Sequence, residues 1–186
     1  VSALRRRLLA WYDAHGRDMP WRRTRDPYPV WLSEIMLQQT QVATARPYYD
    51  AFLKRFPTLA ALARAKPSDV LASWAGLGYY RRARHLHEAA RTVVRDHGGR
   101  VPENPEVFGA LPGVGRYTVA AVLSICFDRP MAVLDGNVAR VLSRLHALPV
   151  AIRDPRGAKL LWAQAEALVP MRRPGDWNQA MMELGA

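Results

Sequence analysis

The segment Leu111-Pro112-Gly113-Val114-Gly115-Arg116-Tyr117, followed by the apolar run Thr118 to Phe127, most constrains what this chain can become. Two glycines one residue apart permit a tight hairpin, because glycine tolerates positive φ and close backbone approach. The run that follows has helical period, so the hairpin opens into a helix N-terminus. There the first backbone N–H groups lack partners within the helix and favour an anion such as a phosphate. A second segment, Leu134-Asp135-Gly136-Asn137, puts a carboxylate at the start of another helix. In purely structural terms Asp135 is an N-cap, where aspartate is favoured. The same position also favours its ionised form.

Composition narrows the partners. The 186 residues suffice for one domain or two small lobes, with 49% hydrophobic and 23% charged residues, as in an ordinary globular protein. The formal net charge is +11. Such an excess either serves solubility or attracts a polyanion. An anion-binding hairpin, Arg116 beside it and a nearby acid favour nucleic acid. The single cysteine, Cys126, excludes an internal disulfide framework and any cysteine-rich metal site within these residues. Its apolar helical setting reads as a buried, inert thiol. No apolar run is long enough for a membrane span, and Arg5-Arg6-Arg7 is not followed by a signal-peptide core. An intracellular protein is expected, in the cytoplasm or nucleoid if bacterial. Both ends read as trimmed, since the chain begins at Val1 and stops within a helical pattern at Ala186.

Nearly every segment carries helical period, and none alternates as a strand would. The expectation is therefore all-α, with about ten helices. A first helix stops near Gly16. Others run from Val30 to Gln41, from near Pro47 through Tyr48, Phe52 and Phe56, and from Tyr80 to His97. Thr58 and Ser68 serve as N-caps of two short helices. Gly76 and Gly78 break the chain before the long basic helix, and Gly98-Gly99 end it. Pro105 opens a short helix before the hairpin. Further helices cover Arg116 to Phe127, Gly136 to Ala147, Pro155 to Val169 and Asp176 to Leu184.

Several motifs now point one way. Leu111 to Thr118 resembles the helix-hairpin-helix of the DNA glycosylase superfamily. Leu134-Asp135-Gly136-Asn137-Val138-Ala139-Arg140 resembles that superfamily's catalytic aspartate segment. Leu32-Ser33-Glu34-Ile35-Met36-Leu37-Gln38-Gln39-Thr40-Gln41-Val42 is similar to a segment of adenine DNA glycosylases of the MutY type. By composition alone Glu34 would be a solvated surface residue. The resemblance instead implies the acid that protonates departing adenine, and a general acid at neutral pH requires burial to raise its pKa. Tyr117 stands where relatives of the endonuclease III type carry a lysine nucleophile. A phenol cannot form an iminium, so the resemblance implies a monofunctional enzyme. Thymine-mismatch glycosylases of the superfamily also resemble this chain in carrying tyrosine there, but the Gln38-Gln39-Thr40 segment argues against them.

The resemblance spans nearly the whole chain and implies two helical lobes with the active site in the cleft between them. One lobe would comprise residues 29–127, with the hairpin. The other would comprise 1–28 and 128–186. Glu34, Asp135, Tyr117 and Asn137 would be catalytic. Trp21 and Arg22, in Met19-Pro20-Trp21-Arg22, with Leu37 and Gln179 would contact the flipped base, although Trp21 can equally be a core aromatic. Gln39 and Tyr79 would wedge into the duplex, and Gly113, Gly115 and Arg116 would hold its backbone. Arg81, Arg82 and Arg84 form a candidate phosphate track, or simply a solvated helix face. The implied substrate is double-stranded DNA with adenine opposite 8-oxoguanine or guanine, bound by a monomer without membrane association. Residues 1–186 would hold no cofactor or metal themselves. In most members four cysteines holding a [4Fe–4S] cluster follow the segment matching Glu183-Leu184-Gly185-Ala186, so a cluster is expected in a longer parent protein. The domain that helps relatives recognise 8-oxoguanine would likewise lie outside. The remaining alternatives are a bifunctional glycosylase/lyase for oxidised pyrimidines, which Tyr117 opposes, and a non-catalytic DNA-binding module. Pure binding requires neither Glu34 nor Asp135, since both repel phosphate.

Overall fold

Pattern and caps produce eleven α-helices and one short 3-10 helix among the described residues of the computed structural model, which are 1–149 and 152–186. No strand occurs among them. The helices are α1 (Ser2–His15), α2 (Pro27–Met36), α3 (Val42–Arg55), α4 (Leu59–Arg64), α5 (Pro67–Ser73), α6 (Arg81–Asp96), α7 (Pro105–Gly109), α8 (Arg116–Phe127), α9 (Gly136–Leu145), α10 (Pro155–Leu168) and α11 (Pro174–Gly185). The 3-10 turn covers Pro20–Arg22.

Most starts follow from local chemistry. Asp26 accepts from the Tyr28 N–H, Thr58 from Ala61 and Asp154 from Gly157, so side-chain oxygens satisfy the orphan amides of α2, α4 and α10. Proline occupies the first turn of α2, α5, α7, α10 and α11, where its missing N–H costs nothing. Several expected boundaries move, the start of α2 from Val30 to Pro27 among them. Ser68 lies inside α5, because Pro67 starts that helix after Lys66. Pro47 lies inside α3, which begins at Val42; Pro47 is exposed, so water can reach the carbonyl it leaves unpaired. Helix α2 stops at Met36 and not at Gln41, for a reason given below.

The chain forms two compact units, Pro20–Val122 and Val1–Met19 with Leu123–Ala186. Both boundaries lie several residues before the expected ones at 28/29 and 127/128. Side chains explain this. Trp21 packs edge-on against Tyr49 at 5.2 Å, which ties the 3-10 turn to α3. Asn178 donates to Ser124 Oγ at 2.9 Å, which ties the end of α8 to α11.

The unit of residues 20–122 is built around large buried aromatics. Trp31 meets Phe108 at 5.2 Å and Phe52 meets Trp74 at 5.8 Å, both near perpendicular, and Phe52 meets Phe56 edge-on at 4.9 Å with the rings inclined at 61°. Edge-to-face pairs of this kind add about 0.5–1.5 kcal/mol each beyond burial. Leu32, Leu62 and Leu86 complete the core. In the other unit, Trp177, Leu142 and Leu161 are fully buried. Arg5 donates to the Ala167, Leu168 and Val169 carbonyls, a cation placed at the C-terminal end of α10. Arg173 pairs with Asp13 and Asp176, each at 2.6 Å.

Candidate functional site

Glu34 lies in the interior of α2 and is 7% exposed. Its neighbours Trp31, Leu32, Ile35 and Met36 are buried as well. A carboxyl is seldom placed so deep. The composition-based expectation of a solvated glutamate therefore fails here.

Asp135 is the N-cap of α9. Its Oδ1 accepts from the Val138 N–H at 2.8 Å, and its Oδ2 from Asn137 Nδ2 at 3.4 Å. Arg140 donates to Asn137 Oδ1 at 3.1 Å and to the Gly185 carbonyl, which steadies Asn137 in turn. A Cβ on Gly185 would lie 2.3 Å from the Asn137 carbonyl oxygen, so only glycine lets α11 end against this turn. Burial raises the Asp135 pKa above its ordinary 3.8, and the backbone amides of Val138, Asn137 and Asp135 and the charge of Arg140 offset only part of that. The helix terminus alone was expected to hold it low; desolvation outweighs it.

The hairpin has the predicted form. Gly113 has φ +73, and a Cβ there would come within 2.7 Å of His85 Cβ. Gly115 faces open space and is exposed, as is Arg116 at the start of α8. Tyr117 is half-buried in the same first turn. A cavity of about 470 Å³ adjoins the hairpin, lined by Gln38, Gln39, Tyr79, Arg81, Arg84, His85 and Gly113 among others. It gathers both proposed wedges, two cations and the hairpin onto one surface of a single unit. Gln39 is exposed with φ +56, and Tyr79 is 60% exposed with φ +49. Left-handed backbone at non-glycine residues is uncommon and persists where surroundings enforce it.

Arg82 departs from the phosphate-track expectation. Its guanidinium turns inward: Nη1 donates to the Ile35 and Met36 carbonyls, both at 2.9 Å, and to that of Gln38. The Ile35 and Met36 carbonyls belong to the last turn of α2, where carbonyls lack partners within the helix, and that of Gln38 lies just beyond it, so Arg82 caps the helix where it stops short of Gln41. Arg81 and Arg84 remain exposed. The sequence reading also missed His85, which accepts from Arg81 Nε at 3.3 Å and packs on Gly113. Neither residue carries a motif that could have revealed it.

The remaining candidates belong to both units. Trp21 is 6% exposed against Tyr49, the core-aromatic alternative, and Arg22 and Leu37 are half-buried. Gln179 is buried on α11. Its neighbour Asn178 is spent structurally, donating to Ser124 and to the Met131 carbonyl at 2.7 Å. Cys126 is half-buried, less enclosed than expected. A [4Fe–4S] cluster requires four thiolate ligands. The chain has one cysteine, and among the described residues no group of three or more His, Cys, Asp or Glu is placed to hold a metal. These residues do not fit such a cluster, and no step proposed below runs through one. No helix among them is long and apolar enough to cross a membrane.

Comparison with known proteins agrees with this geometry. Residues 32–163 match the family model described as HhH-GPD superfamily base excision DNA repair protein. The adenine DNA glycosylase of Rattus norvegicus is 50% identical over 195 residues, covering 100% of this chain and 38% of that protein. That of Homo sapiens is 50% identical, covering 100% and 36%. The chain thus spans little more than a third of the length of these relatives. Among solved structures, a thermostable thymine-DNA glycosylase superposes with a TM-score of 0.87 at 33% identity, covering 100% of this chain and 85% of that one. A trapped endonuclease III–DNA covalent intermediate superposes at 0.79, covering 96% and 81%; at 18% identity this likeness establishes the fold alone.

Proposed function

From the premise that this chain belongs to the HhH-GPD superfamily of base excision DNA repair proteins, we propose that it is the catalytic part of a monofunctional adenine DNA glycosylase. Its substrate is adenine opposite 8-oxoguanine or guanine in duplex DNA, bound by a monomer. The observation that carries this reading is the buried Glu34, in a segment resembling that of adenine glycosylases and in a chain half identical to proteins of that name.

Gly113, Gly115 and Arg116 hold the phosphate backbone, and Gln39 and Tyr79 fill the stack as adenine leaves it. Flipping costs roughly a few kcal/mol. Trp21, Arg22, Leu37 and Gln179 contact the extruded base. Glu34 gives its proton to adenine at N7, which makes the base a better leaving group. As the glycosidic bond breaks, the sugar becomes oxocarbenium-like. Asp135, as the carboxylate, stabilises that charge while Asn137 and Tyr117 position the groups. Water then adds to the anomeric carbon and gives up its proton, which restores the acid form of Glu34. Tyr117 has no amine, so no imine with the sugar forms.

The test is incubation with a duplex holding adenine opposite 8-oxoguanine. Strand breaks that need alkali, with no protein–DNA adduct under borohydride, are expected. Abundant adduct would contradict the monofunctional reading. Release of thymine from a G·T duplex with adenine untouched would move the chain toward the activity for which its structural neighbour is named.

A further inference from the structure

Arg82 grips two separate loops. Besides the carbonyls that end α2, its Nη2 lies 3.2 Å from Thr40 Oγ1 and 3.3 Å from each of the Leu77 and Gly78 carbonyls. Its guanidinium also sits 5.5 Å from the ring centres of Trp74 and Tyr79. Two of these acceptors are telling. The Gln38 carbonyl belongs to the peptide that enters Gln39, and the Gly78 carbonyl to the peptide that enters Tyr79. Both following residues have left-handed φ. Fixing the preceding peptide plane fixes the side of φ from which each residue is approached. One planar cation thus contacts the peptides that enter both left-handed positions. Trp74 adds a second hold on the same peptide, donating Nε1 to the Gly78 carbonyl at 3.2 Å.

We propose that Arg82 is a positioning residue that couples the loop of Gln39 to the loop of Tyr79, so that the two enter the duplex as one preorganised wedge. This rests on the base-flipping activity proposed above. Its effect falls on extrusion of the base, not on phosphate affinity or bond cleavage. Backbone phosphate contacts would be left to Gly113, Gly115 and Arg116. Lysine cannot take its place: an ammonium is a point charge with three donors, whereas the guanidinium fork spans acceptors on both loops.

The experiment places 2-aminopurine at the target position opposite 8-oxoguanine and follows its fluorescence, which rises on unstacking. The parent protein is expected to give a rise on binding. R82K is expected to slow that rise by roughly 10- to 100-fold, the scale of misplacing a positioned group. Its affinity for a duplex with an abasic site, where no base must be unstacked, should match the parent's. Thr40→Val removes one acceptor, leaves Arg82 in place, and should slow the rise by a smaller factor; it carries the test if R82K does not fold by circular dichroism. A parental rise in a folded R82K, or in T40V where R82K is unfolded, overturns the coupling. So does equal loss of affinity for the abasic duplex. A parent that gives no rise contradicts the base-flipping reading, and this role for Arg82 falls with it.

Discussion

Helices α8 and α9 begin alike and are used differently. The N-terminus of each helix is a favourable place for negative charge. In α9 that place is filled from within, by Asp135, whose carboxylate accepts from Val138. In α8 the first turn contains no acidic residue and starts at exposed Arg116, after a glycine with open space around it. One terminus carries its own anion; under the proposed function the other takes one from DNA. On that reading the same backbone physics serves chemistry in one helix and grip in the other, and one side chain decides which.

Asp135→Asn breaks the comparison at its catalytic end and carries the largest expected effect. Asparagine caps as well as aspartate, so the fold survives. Adenine release in single turnover should fall by about two to three orders of magnitude, the scale for removing a preorganised electrostatic group. Stability should move the other way. The folded pKa of Asp135 is raised, chiefly by burial. The charged carboxylate therefore weakens the folded state once pH exceeds that raised value. Asp135→Asn should melt at the same temperature as the parent or higher at neutral pH. The gain should shrink as pH falls through the raised pKa and vanish below about 3.8, the ordinary value. Melting curves across this range check the sign; a variant less stable at neutral pH would show that the amides outweigh desolvation.

The hairpin of α8 allows a finer test on its two glycines. Gly113→Ala must place a Cβ at positive φ and against His85. It should cost about 1–3 kcal/mol in urea unfolding. Gly115→Ala meets nothing within 4 Å and should stay within about 0.5 kcal/mol of the parent. Equal losses at the two positions would mean that the hairpin is not shaped by the Gly113 contact.

This contrast also marks what the sequence can convey. Helix identity was legible because caps and prolines act locally: Thr58 and Pro105 each settle one start within four residues, whereas Asp26, which caps α2 ahead of the expected start at Val30, went unread. The hairpin and Asp135 were legible for the same reason. Burial of Glu34 was not, since it depends on what surrounds α2, and only the resemblance singled that residue out. Nor was Arg82 legible. Among three neighbouring arginines, the inward one is set apart by four acceptors more than forty residues away and two nearby carbonyls. The end of α2 was missed with it, because that end is set by a side chain more than forty residues away. Long-range polar contacts leave no periodicity to read.

The central claim is that adenine departs as a protonated base on a proton from Glu34. Glu34→Gln keeps the size and removes the proton. In single turnover on a duplex with adenine opposite 8-oxoguanine, release should fall by about two to four orders of magnitude, with affinity for the same duplex held or raised. Release at the parental rate would contradict the account.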